Sequence, residues 1–153
     1  HAAAWKVLFY GPLHPPTGVA AAFVKSDPRF APIGQGSAGW YDLGVLGAGT
    51  ANAGTESVAN AISANGTIAG QSRLKVGASQ VWRAFVHSNA GNPGTQPLVN
   101  LNDVTWMWVN NQWVLATSQG WTLVSAERIN RAGWIVGYGT KAGQSRAFVL
   151  SPR

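Results

Sequence analysis

The chain has 153 residues, 46% of them hydrophobic and 10% charged, and a formal net charge of +6. This length suits one core and is short for two, so we predict a single domain over residues 1–153. Because the sequence contains no cysteine, a disulfide framework, a thiolate metal site and a cysteine nucleophile are excluded.

The low charge, together with 19 glycines and 8 tryptophans, is typical of strands joined by tight turns. Lysine and arginine are spread from Lys6 to Arg153, so we expect no specific nucleic-acid partner and keep an acidic polymer as an open alternative. No run of about 18 apolar residues occurs, so no transmembrane segment is expected. No basic and apolar leader precedes His1, which fits a mature form after signal removal.

A short Ala-Phe-Val segment occurs three times along the chain. Its phenylalanines are Phe23, Phe85 and Phe148, which are 62 and 63 positions apart (85 − 23 and 148 − 85). Such self-similarity at a fixed period indicates a repeat architecture. We predict that each copy forms one strand of a recurring unit.

A second segment precedes two of these copies, at residues 61–70 and 128–137. In each, an apolar strand leads to a tight turn that closes at Gly66 or Gly133, and a second strand follows to the end of the range. Both ranges therefore predict a β-hairpin.

The first unit is shorter than the others. Residues 5–11 stand where the second hairpin strand belongs, and a further strand follows the phenylalanine strand at 41–47 and again at 98–103. Asp42 and Asp103 occupy related positions in this further strand, which favours turn or strand-end hydrogen bonding. The predicted units are residues 1–40 (truncated), 41–97 and 98–153, and no further strand is expected after the last phenylalanine strand.

One hairpin, at residues 105–114, occurs in a single unit, and its Asn110-Asn111 pair suits a type I′ turn. Alternation along the hairpin would place several indoles on one face. Because indoles stack on sugars but also fill cores, the ligand-binding and core alternatives are equally open here. The candidate ligand-binding residues are Trp106, Trp108, Trp113 and Trp121.

No ten-residue window carries an uninterrupted helical period, so the chain is predicted to be all-β. The pattern of an Asp-Leu-Gly strand at 42–44, an Ile-Ser/Asn-x-x-Gly-x-Ile-x-Gly hairpin and an Ala-Phe-Val strand resembles the HAF repeat family of bacterial extracellular proteins. The resemblance extends over residues 41–153, and Arg83 and Arg146 replace the histidine that usually begins the phenylalanine strand. It implies propeller-like blades and a secreted, extracellular or cell-surface location, and carries no catalytic residues.

Three units cannot close a propeller, which needs four or more blades. Three alternatives remain: several chains complete one ring, the units form a β-prism-like body, or the chain belongs to a longer array. Open strand edges invite pairing with another strand, so we expect a homo-oligomer built through edges.

His1 is the candidate metal residue, because an N-terminal histidine can bind copper through its amine and ring. A copper brace needs a second histidine, and neither His14 nor His87 has a spacing that forces it toward His1. The five carboxylates show no paired spacing, and no Gly-x-Ser-x-Gly motif occurs. We therefore expect no catalytic residues, no enzymatic activity and no cofactor.

These observations predict a secreted or cell-surface repeat protein that acts by binding or self-assembly. The alternatives are a structural subunit of an extracellular assembly, a glycan-binding module that uses the Trp106 to Trp121 region and, more weakly, a copper-binding protein that uses His1.

Overall fold

A computed structural model describes residues 40–88 and 97–152, with side chains from residue 42 onward, and the backbone of residues 5–8 and 22–26. Strands account for 58% of the structure and helix for 8%, so the prediction of a mainly β chain is confirmed. In chain order the elements are β1 (Trp5–Leu8), β2 (Ala22–Ser26), β3 (Trp40–Gly44), β4 (Ser57–Ile62), β5 (Ile68–Val76), β6 (Ser79–His87), β7 (Val99–Asn100), α1 (Leu101–Val104), β8 (Trp106–Val109), β9 (Gln112–Leu115), a 3₁₀ turn (Ala116–Gln119), β10 (Trp121–Ile129), β11 (Ile135–Lys141) and β12 (Gln144–Leu150).

The strands form three antiparallel sheets and one separate hairpin. The first sheet has the order β1-β2-β3, the middle sheet β4-β5-β6-β7 and the last sheet β10-β11-β12, while β8 pairs only with β9. None of the sheets closes on itself. Within the described ranges, no helix is long and apolar enough to cross a bilayer.

The middle and last sheets share their local geometry. Their first two strands pair with a bulge at Asn60 in β4 and at Glu127 in β10. Both hairpin turns are closed by the glycine at the predicted position, since Gly66 N donates to Ser63 O and Gly133 N donates to Asn130 O. The predicted turns are therefore present.

A glycine on the central strand of each sheet lies beneath the phenylalanine of the next strand. Gly70 is opposite Phe85 and Gly137 is opposite Phe148. A Cβ at Gly137 would lie 2.0 Å from Ser125 O and 2.7 Å from the Phe148 ring, and a Cβ at Gly70 would meet its surroundings in the same way. Only glycine allows the phenylalanine ring to lie this close to the neighbouring backbone.

The sheets stack in chain order around two apolar clusters. Successive side chains of a strand point to opposite faces, so Ile68 and Phe85 enter the cluster shared with the first sheet, whereas Ala69 and Ala84 enter the cluster shared with the last sheet. The middle sheet is thus covered on both faces.

Two asparagine side chains, one on β4 and one on α1, bind β10. Asn60 Nδ2 donates to Ser125 Oγ at 3.2 Å and to Ala126 O at 2.9 Å. Asn102, which is buried, donates from Nδ2 to Leu123 O at 2.9 Å and accepts from Leu123 N at 2.8 Å. The amide of Asn102 therefore satisfies both polar backbone groups of one residue at a bulge, as a paired strand would.

Several details of the sequence prediction were wrong, including the strand at 41–47, which spans Trp40–Gly44. The second strand of each hairpin continues past its glycine, to Val76 in β5 and to Lys141 in β11. The segment 98–103 is a strand only at Val99–Asn100, because Asn100 Oδ1 accepts from Asn102 N and caps a helical turn.

The residue related to Asp42 is Asn100 rather than Asp103. Asp42 lies opposite Phe23 and Asn100 lies opposite Phe85 in the strand registers. Both side chains accept from the backbone N–H two residues later, on Gly44 and Asn102. The expected turn hydrogen bonding is therefore present, at a different second position.

Candidate functional site

The β8–β9 hairpin presents three indoles on one face. Trp106 and Trp108 alternate with partly buried Met107 and Val109 along β8, and Trp113 lies opposite Trp108 with ring centroids 5.3 Å apart at 65°. The three indoles are 42%, 57% and 46% exposed. Asn110 and Asn111 have φ of 49° and 61°, so the turn has the two positive φ values that type I′ requires.

Trp121, the fourth candidate, is not part of this exposed face. It lies on β10, packs against the cluster between the middle and last sheets, and has Lys141 Nζ 5.9 Å from its ring centroid. Its indole and that of Trp106 line one cavity between the hairpin and the last sheet.

Two cavities separate the hairpin from the end of β12. One, of about 280 Å³, is lined by Trp106, Met107, Phe148 and Val149 among others. The second, of about 360 Å³, is lined by Trp106, Trp113, Val149 and Leu150 among others. Both are bordered by apolar side chains, as is usual for binding sites in proteins.

The outer face of the last sheet is an exposed apolar surface, formed by Trp134, Val136, Tyr138 and Val149. Val136 is opposite Val149 in the β11–β12 register, and Trp134 and Tyr138 lie two residues before and after Val136 on the same face. We call these four residues the outer face. This surface was not predicted from the sequence, although apolar residues on both alternating faces of the strand, Ile135 on one and Val136 and Tyr138 on the other, are the signal that could have indicated it.

The charged groups of the described residues do not converge on one point. Arg73 Nε and Glu56 Oε1 form an ion pair at 2.5 Å, and the Arg73 guanidinium lies 5.1 Å from the Trp82 ring centroid. Partial burial lowers the pKa of Arg83, whose Nη1 donates to Trp82 O. Of these contacts, only that of Arg73 with Trp82 joins β5 to β6, and the ion pair joins β5 to the residue before β4.

No group of three histidine or carboxylate side chains among the described residues could hold a metal ion. His87 is fully buried at the end of β6, opposite Ile68. His1 and His14 lie outside the described residues, so the copper hypothesis stays a prediction.

No protein-family model, curated protein or solved structure matches the chain. The resemblance to HAF repeats therefore stays a prediction, and the function must be argued from the described surfaces.

Proposed function

We propose that this chain is a non-catalytic module that acts by binding and self-assembly, through the outer face of its last sheet. The observation that carries this proposal is a difference between two related sheets. In the middle sheet, Ala69 and Ala84 are completely buried beneath the last sheet. Their counterparts in the last sheet are Val136, which belongs to the outer face, and Ala147 beside it. Both of these residues are exposed.

The equivalence rests on the shared bulge, turn and glycine–phenylalanine contact. If Gly70 corresponds to Gly137 and Phe85 to Phe148, then Ala69 corresponds to Val136 and Val86 to Val149. Val136 is 41% exposed and Val149 is 61% exposed. Contiguous apolar surface of this kind marks an interaction site more often than scattered apolar residues do.

The self-assembly is tested by sedimentation velocity at micromolar concentration. We expect the chain to associate and Tyr138→Lys to weaken association, because a lysine ammonium would be desolvated within the apolar interface. Val76→Lys is the matched control, since Val76 is an exposed apolar residue of another sheet. A chain that sediments only as a monomer would overturn the proposal, as would equal effects of the two variants.

The wider proposal is a stack of three blade-like units, propeller-like or β-prism-like, that is secreted or displayed at the cell surface. Support for the stack comes from the chain-order packing of the sheets, and support for the location comes only from the resemblance to extracellular HAF repeats. As a structural subunit, the chain would associate without a soluble ligand.

A second candidate function is glycan binding by Trp106, Trp108 and Trp113. The observation that favours it is the exposure of three indoles on one face of a hairpin, where a sugar ring could stack. On a glycan array, we expect Trp108→Ala to lose binding and Val76→Ala, which truncates an exposed apolar side chain of another sheet, to retain it. Unchanged binding in Trp108→Ala would eliminate the hairpin as the site.

A further inference from the structure

We propose that the open edge of β12 is an acceptor site for an extended partner strand that carries an aliphatic or aromatic residue two positions before an Asx-Leu pair, that is, before an asparagine or aspartate followed by leucine. This inference rests on the proposed function, which it deepens by naming the chemistry of one partner. The first observation is that β12 is the outermost strand of its sheet, since no described strand pairs with it on the side away from β11.

Both preceding sheets have this position filled. In the first sheet, β3 pairs with β2 so that Asp42 is opposite Phe23. In the middle sheet, β7 pairs with β6 so that Asn100 is opposite Phe85 and Val99 is opposite Val86. Phe148 is the phenylalanine of the last sheet, and the described residues place no strand beside it.

The filling strand also completes the apolar cluster. Leu98, two residues before Asn100, is buried in the same cluster as Phe85, and Leu101 is buried in the cluster beneath the next sheet. Beside Phe148, the corresponding volume is the cavity of about 280 Å³. An aliphatic side chain of the partner would enter this cavity, between Phe148 and the Trp106–Met107 side of the hairpin.

The partner strand comes from outside these 153 residues. The two segments that carry the pattern here, at 40–43 and 98–101, are already paired with β2 and β6. The sequence contains no third segment in which an aliphatic or aromatic residue stands two before an Asx-Leu pair. Strand addition to an open edge supplies affinity through the backbone, and the apolar cavity supplies specificity.

The test is whether a disulfide forms between a cysteine on the chain and a cysteine on a peptide that pairs with β12 in one strand register. The chain has no cysteine of its own that could react instead. The probe is a synthetic peptide with the sequence of residues 97–103 and Val99→Cys. If it binds as β7 binds β6, its cysteine lies opposite position 149, so the Val149→Cys chain should form a disulfide with it in glutathione redox buffer.

Val136→Cys is the matched control, because Val136 faces the same side of the sheet one strand further from the edge. Strands are about 4.8 Å apart, so the peptide cysteine would be roughly 10 Å from position 136 and out of disulfide range. A peptide that also carries Leu98→Asp should bind about tenfold more weakly or worse, because its charged side chain cannot fill the apolar cavity.

Capture at position 149 but not at 136, together with the loss caused by Leu98→Asp, would support the proposal. Equal capture at both positions, or no capture at either, would overturn it. A monomeric chain that captures the peptide would refute self-assembly alone, and an oligomer that does not capture it would refute the acceptor edge alone.

Discussion

Replacing Asn102 with aspartate would test whether its side chain holds the middle and last sheets together. The Nδ2 group donates to Leu123 O at 2.9 Å and to Asn100 Oδ1 at 2.9 Å, while Oδ1 accepts from Leu123 N at 2.8 Å. Asn102→Asp keeps the shape and the acceptor but removes both donors. The buried Leu123 O and the partly buried Asn100 Oδ1 then face a carboxylate.

Each lost hydrogen bond at a buried site costs about 1–3 kcal/mol, so we expect Asn102→Asp to lower the free energy of unfolding by about 2–6 kcal/mol at pH 7. The protonated carboxyl can still donate to Leu123 O, so its pKa in the folded variant lies above the unfolded value of about 3.9. The destabilisation is therefore full above the folded pKa and decreases as the pH falls toward the unfolded pKa.

Urea denaturation at several pH values measures both effects. The matched control is Asn130→Asp, because Asn130 Oδ1 only accepts, from Trp134 N at 2.9 Å, and a carboxylate can accept equally well. We expect the control to stay within about 0.5 kcal/mol of the wild type. A loss below 1 kcal/mol for Asn102→Asp, or a loss that does not change with pH, would refute the role assigned to Asn102.

Two further pairs of substitutions test the local geometry. Gly137→Ala should lower the free energy of unfolding by about 3 kcal/mol or more, because its Cβ would lie 2.0 Å from Ser125 O. Gly143→Ala, in open space with φ of 79°, should lower it by only about 1 kcal/mol through backbone strain. Thermal melts that rank the two variants the other way would contradict the packing argument. Asn111→Val should lower the melting temperature relative to Asn111→Gly, because φ of 61° disfavours a β-branched residue, and equal melts would argue against the turn.

The elements that could be predicted from the sequence are those specified by neighbouring residues. The turns at Gly66 and Gly133 need only a local signal, since glycine tolerates positive φ, and Asn110-Asn111 is an equally local signal for the inserted hairpin. The strand identity of the Ala-Phe-Val segments followed from their recurrence. These predictions do not depend on how the sheets pack against one another.

The tertiary contacts could not be predicted in the same way. Asn102 looks like one more polar residue in a turn, and only the position of β10 makes it a partner of Leu123. The bulges at Asn60 and Glu127 have no sequence signal of their own. The four candidate tryptophans were grouped because they are close in sequence, yet Trp121 faces the cluster between two sheets while the other three line an exposed hairpin.

The presence of two separate apolar clusters has a consequence for how the chain unfolds. Each cluster joins only consecutive sheets, so the stability of the stack is a sum of neighbouring interfaces rather than the property of one centre. Detachment of the last sheet would uncover Ala69 and Ala84 but would leave Phe85 in its own cluster. The last sheet can therefore detach without disrupting the cluster that the first and middle sheets share.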